Sequence, residues 1–195
     1  MKRRERDFVA LFNALWYRDF PVTPNHEDLG RRAVWTTHIA SIVKQCADLM
    51  GLFTCFESGG RTDAVVQTAL RETWAKIEWE WIQPHSEKVN EFEKLARAAN
   101  ESELLVFIGY SRSDRHEENL QKIRESWQQI NTPLLVFLVT FSYHGKRRHF
   151  EQLQTYSFKN GIDKKLRQQP ALPWHVEGTK WAALANLAAG LDADS

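Results

Sequence analysis

Apolar positions along the chain follow two rhythms, one near 3.6 residues and one of 2. Residues 5–18 place Phe8, Val9, Leu11, Phe12, Leu15 and Trp16 at helical spacing. Residues 32–50 carry a broad stripe from Val34 and Trp35 through His38, Ile39, Ile42 and Val43 to Cys46 and Leu49. A second helix is expected there, stopped by Gly51. Between the two, residues 21–30 hold two prolines, Asn25 and an acidic pair, and read as a loop. Residues 52–57, 62–70 and 74–82 then read as three strands in succession. Ser58-Gly59-Gly60 marks a tight hairpin between the first two, and Arg71-Glu72 marks a turn before the third. Ser86 caps a helix over 87–99 with Val89, Phe92, Leu95 and Ala96 inward. Residues 104–110 and 134–141 are continuous apolar runs, as strands covered on both faces are. An amphipathic helix is expected over 114–130 between them. Residues 149–158 read as a strand returning across the basic turn 144–148. A Pro-rich stretch at 170–173 and a short helix over 178–191 close the chain.

The order helix, three-strand meander, helix, strand, helix, strand predicts an α/β fold with a mixed central sheet flanked by helices. At 195 residues and 43% hydrophobic content the chain fits one domain with a real core. The core is expected over 31–158, with a helix-and-loop extension at 1–30 and a basic, Pro-containing extension at 159–195. Cys46 and Cys55 form no CxxC pair, which excludes a disulfide framework or zinc cluster and fits a cytoplasmic protein. The basic start is interrupted at Asn13, Arg18 and Asp19, so no signal peptide is expected. No apolar run is long enough to span a membrane. Neither a P-loop, a strand followed by GxGxxG, nor GxSxG occurs.

The third strand carries the candidate chemistry. Alternation puts Lys76, Glu78 and Glu80 on one face and Ile77, Trp79 and Trp81 on the other. If the second and third strands form a hairpin centred near residue 71, Asp63 lies opposite residue 79, beside both glutamates. Glu57, ending the first strand, is a fourth acid within reach. Such carboxylates, with oxygen ligands only, suit a hard divalent cation. The plain alternatives are a solvated strand face with salt bridges to Lys76, and turn chemistry at Asp63.

This arrangement resembles the PD-(D/E)xK nuclease superfamily over about residues 32–141. Asp63, in Gly60-Arg61-Thr62-Asp63-Ala64-Val65-Val66, is similar to the family's second-strand Asp, and Glu78 to its (D/E). The resemblance implies a restriction-endonuclease-like core and Mg²⁺ (or Mn²⁺) held by Asp63, Glu78 and the Trp79 carbonyl. It implies phosphodiester hydrolysis in nucleic acid, DNA above all, and a homodimer is the simplest way to cut both strands of a duplex. The chain departs from the pattern at Glu80, where the family has Lys; a minority of restriction endonucleases carry Glu there. Glu80 would be a second-metal ligand or proton acceptor, with Lys76 as the amine. The family's first-helix Glu is also missing, with Glu27 and Asp28 lying just before that helix. These departures favour a second reading, a nuclease fold that has lost catalysis and binds nucleic acid or protein. A third, an unrelated α/β domain with an aromatic docking surface, requires Trp79 or Trp81 to be exposed.

The formal net charge is +1, so a polyanion partner must be argued from local patches. Residues 144–169 hold Lys146, Arg147, Arg148, Lys159, Lys164, Lys165 and Arg167 against Glu151 and Asp163. Interleaved with Phe150, Tyr156 and Phe158, they are expected to contact phosphates. Their plain alternative is an edge strand guarded by cations.

Overall fold

A computed structural model of the chain describes residues 1–21, 31–58, 62–86, 88–145 and 147–183, Arg147 by its backbone alone. The Gly59-Gly60 turn, Glu27, Asp28, Lys146 and residues 184–191 lie outside the described residues.

The two wholly apolar runs become the middle of the sheet. β4 (Leu104–Arg112) and β5 (Leu134–His144) are parallel neighbours, and their apolar stretches are buried on both faces. That double burial is why neither run alternates. β3 (Thr73–Glu80) joins β4 in parallel, and β2 (Thr62–Gln67) and β1 (Phe53–Ser58) follow antiparallel. On the other side β6 (Arg147–Lys159) and β7 (Ile162–Pro170) are antiparallel to β5 and to each other. The result is one seven-stranded mixed sheet whose spatial order is its sequence order.

α3 (Glu91–Arg97) links β3 to β4, and α4 (His116–Ser126) links β4 to β5. Strand order advances in one direction, so right-handed crossovers bring both helices to one face. There Phe92, Leu95, Ile123 and Trp127 pack on Leu105, Phe107, Val136 and Leu138. α1 (Arg3–Leu15) and α2 (Arg32–Leu49) cover the opposite face, setting Phe8, Phe12, Trp16, Trp35 and Ile39 against Val106, Ile108, Phe137 and Val139. The mixed α/β architecture with flanking helices is therefore as expected. His38 is a satisfied core histidine: its Nε2 lies 3.1 Å from the Trp16 carbonyl, and burial lowers its pKa to about 4.

Of the boundaries that differ from expectation, three change the architecture. Residues 159–170 belong to the sheet, not to an extension. Asn160 and Gly161 both adopt positive φ, 51° and 72°, and turn the chain directly from β6 into β7. α1 is core as well, since Phe12 lies 4.1 Å from Phe137 between ring centroids. α3 starts one turn late because residues 83–89 are spent in two tight turns.

Phe137→Ala is expected to cost about 3–5 kcal/mol in denaturant unfolding, the loss typical of a buried ring. Ile162→Ser, at a side chain 74% exposed, should stay within about 0.5 kcal/mol. Equal losses would mean that the β6–β7 turn carries as much packing as the centre.

Candidate functional site

The β2–β3 ladder decides where the acids meet. Ala64 pairs with Ile77 and Val65 with Lys76, so the next step sets Asp63 across from Glu78. Trp74 bulges between the pairs Val66–Ala75 and Gln67–Thr73, and the register beyond it differs by one residue from the expected pairing with 79. Directly opposed residues of an antiparallel pair share a face. The two carboxylates therefore stand side by side on the α3 face.

Their surroundings are unequal. Asp63 Oδ2 accepts a hydrogen bond from the Trp79 N–H at 2.7 Å. Glu78 is 1% exposed, and its close polar neighbours are the Asp63 carboxyl, with which it can share a proton, and Lys94. Lys94 Nζ stands 3.7 Å from Glu78 Oε2 and 3.4 Å from Glu91 Oε1. Burial first, and then the Asp63 charge, pushes the Glu78 carboxyl up to about 8, while Lys94 pulls the other way. Burial raises the Asp63 carboxyl too, opposed by the Trp79 N–H. These groups line a cleft of about 250 Å³ that also meets Glu80, Arg32 and Thr36, with half-buried Trp79 and Trp81 at its sides. It opens at the carboxyl end of β3, where a parallel strand stops, a usual ligand position in open α/β sheets.

Three expected members do not join this pair. Glu80 turns back on its own strand end: Oε1 accepts the N–H groups of Trp81 and Ile82 and lies 3.4 Å from Arg32 Nη2. Lys76 Nζ pairs with Glu101, away from Glu78. Glu57 is exposed at φ 50°, and no hydrogen bond or ion pair ties it to Asp63 or Glu78. Among the described residues no group of three or more acids, histidines or cysteines sits closely enough to hold a metal. The expected three-carboxylate set is replaced by Asp63 and Glu78, with Glu91 and Lys94 added from α3.

Glu91 and Lys94 were not legible as site residues. They flank the apolar stripe of α3, where a charged pair three apart reads as an ordinary solvated edge. Only the placement of α3 over β3 makes them neighbours of Glu78.

The basic stretch is divided. Arg148 stacks over Trp81, its guanidinium 4.1 Å from the ring centroid, and so lies beside the cleft. Lys164 and Lys165 are exposed on β7, and Lys159 ends β6 next to the turn into it. β7 is four strands from β3, roughly 19 Å at about 4.8 Å per strand. These three lysines lie on or next to edge strand β7, away from the acid cleft. The side chain of Arg147 and all of Lys146 are outside the described residues.

A second polar cluster lies past the end of β4. Ser111 Oγ donates to His116 Nδ1 at 2.8 Å, and His116 Nε2 donates to Tyr156, which donates to Gln154. Asn119 Nδ2 donates to Ser111 Oγ at 3.0 Å. Ser111 is fully buried, so this chain of bonds ties β4, α4 and β6 together and offers no nucleophile.

No family model matches the chain, and no curated protein does. Among solved structures, the YaeQ protein from Xanthomonas axonopodis pv. citri is similar at a TM-score of 0.31 and 10% identity, over 60% of this chain and 69% of that one. The YaeQ protein from Pseudomonas syringae is similar at a TM-score of 0.28 and 9% identity, over 60% of this chain and 67% of that one. Likeness at that level carries no inference about activity.

Proposed function

We propose that the chain is a divalent-metal-dependent nuclease that hydrolyses phosphodiester bonds in DNA, centred on Asp63 and Glu78. The Glu78 carboxylate carries this reading. It is buried against a second carboxylate, its nearest cation among the described residues is Lys94 at 3.7 Å, and it opens to a cleft. A buried carboxylate left like this is costly, and a hard cation supplies what both acids lack.

The donor set fits such an ion. The two carboxyls face each other, and an ion that displaces the proton they share finds oxygens of both. Two carboxylates are what Mg²⁺ commonly takes from a protein, with water and substrate phosphate completing its octahedron. The nuclease resemblance adds the Trp79 carbonyl. Bound there, Mg²⁺ or Mn²⁺ would neutralise the scissile phosphate and acidify its water. The Trp79 N–H orients Asp63. Lys94 supplies, from α3, the cation that Glu80 does not provide and that Lys76 has given to Glu101. As a point charge it steadies the phosphate. Glu80, tied to two backbone N–H groups and Arg32, shapes the mouth of the cleft.

Two observations favour the non-catalytic alternative, a nuclease-fold subunit that binds nucleic acid or protein. Arg32 sits on Glu80, and no third acid completes a cage among the described residues. Plasmid nicking separates the readings. Nicking is expected with Mg²⁺ or Mn²⁺ and not in EDTA. Asp63→Ala and Glu78→Ala should abolish it, and Lys94→Met should lower it roughly 100-fold, the scale of a lost positioned charge. Glu57→Gln and Lys76→Met should stay near the parent. Full activity in Glu78→Ala would remove the site, and metal-independent silence of the parent would leave the binding subunit.

The raised Glu78 carboxyl makes a second expectation with a definite sign. Its ordinary value is 4.5 and its folded value about 8, so the native state holds an extra proton between them. Stability from that proton is complete below pH 4.5 and is lost as pH rises through about 8. In EDTA, Glu78→Gln should therefore raise Tm more at pH 9 than at pH 5. Because an ion displaces the proton, Mg²⁺ should raise the parent's Tm more at pH 8.5 than at pH 5.5. A Tm indifferent to Mg²⁺ at both pH values would argue against ion binding.

A further inference from the structure

Aromatic side chains flank the acid cleft on both sides, and one of them holds an arginine that no acid claims. On one side Phe56, 42% exposed on edge strand β1, meets cleft residue Trp79 at 6.5 Å between ring centroids. On the other side Trp81, also a cleft residue, carries the Arg148 guanidinium at 4.1 Å. Phe141 meets the same guanidinium at 4.6 Å. Beyond it Tyr143, 47% exposed, pairs across the strands with Arg148 and packs edge-on against Phe141 at 5.5 Å. A groove of about 430 Å³ runs on past Tyr143 between Arg112 and Ser142.

Arg148 is the informative member. Among the described residues no carboxylate pairs with it, and its buried Nη1 has no hydrogen-bond partner. Both rings contact the guanidinium, whose planar fork still has Nε and Nη2 beside the buried Nη1. A planar donor edge of this kind matches a phosphate in two bonds. Exposed aromatics on either side of a phosphate contact are what an unpaired strand needs, since its bases are free to stack and those of a duplex are not. A duplex reader instead presents side chains to a groove.

Resting on the nuclease reading for its place at the cleft, we propose that the site takes a single unpaired nucleic-acid strand, which stacks bases on Phe56 and Tyr143 and sets a phosphate on Arg148. The strand passes Trp79 and Trp81, which line the cleft together with the acids. Substrate would then be single-stranded DNA or an unpaired stretch within a duplex, the melted segments of a supercoiled plasmid included.

The test is binding in EDTA, where no cleavage occurs, read as fluorescence anisotropy of a labelled oligothymidylate and of a blunt duplex of equal length. The single strand should bind at least tenfold more tightly. Phe56→Ser and Tyr143→Ser, both at exposed positions, should each weaken it by roughly 5- to 100-fold, the range for one lost base stack. Arg148→Gln should reduce the salt slope by about 0.7, one phosphate contact on a single strand, and Arg148→Lys should restore the slope. Ile162→Ser, at the distant β6–β7 turn, should bind as the parent does. Equal affinity for the duplex, or unchanged binding in both Phe56→Ser and Tyr143→Ser, would overturn the proposal even if metal-dependent nicking is present. So would inorganic phosphate binding lost in Arg148→Gln while strand binding stays intact. Strand binding as expected, with no cleavage under Mg²⁺ or Mn²⁺, would sustain this inference and remove the nuclease.

Discussion

Asp63 and Glu78 repel each other, and the sheet holds them together regardless. The ladder between β2 and β3 sets the pair, and burial of Ala64 and Ile77 one step away keeps the register from slipping. A slip of one residue would carry Ile77 out of the core and Glu78 into it. The apolar side of β3 thus enforces the polar side. Relief for Glu78 is partial: a lysine at 3.7 Å that it shares with Glu91, and a proton that can lie between it and Asp63. Low polarity strengthens the repulsion and the attraction alike, so this spot answers strongly to protons and to cations.

Much of the fold was legible because apolar periodicity tracks burial. The runs 104–110 and 134–141 read as central strands, and they are central. β7 was missed because an edge strand of Lys, Arg and Gln has no apolar signature. Its signal was the turn before it: Asn160-Gly161 is the dipeptide whose two residues tolerate positive φ. α1 was set apart as an extension because a helix announces its apolar stripe and not its partner. Phe8 and Phe12 find Phe137 across more than a hundred residues, a contact no local pattern encodes.

At the site the limits are geometric. Alternation placed Lys76, Glu78 and Glu80 on one face correctly, yet a shared face is not a shared site. Lys76 bends to Glu101 and Glu80 folds onto the Trp81 and Ile82 N–H groups, choices made by rotamers and loops. The ladder beside the turn is centred on residue 70, not 71, and the Trp74 bulge adds one step, so Asp63 stands opposite Glu78 and not Trp79. Charge content along 144–169 likewise said nothing of direction. One hairpin sends Arg148 toward the cleft and the next carries Lys164 and Lys165 to the far edge.

Charge arithmetic orders events at the cleft. Asp63, Glu78, Glu80 and Glu91 face Lys94 and Arg32, four carboxylates against two cations. With every acid ionised, that wall repels a phosphate. A proton on Glu78 removes part of the excess, and a divalent cation removes all of it. The cation also attracts phosphate, and a proton does so only weakly. On the proposed nuclease reading, loading with metal would therefore precede entry of a phosphodiester between the acids. A strand can still be held before that, because Arg148 lies beyond Trp81, outside the acidic wall and without an acid of its own. In that reading binding and cleavage would fall to different charges, a fixed arginine on an aromatic shelf and an exchangeable cation between two carboxylates that the sheet does not allow to part.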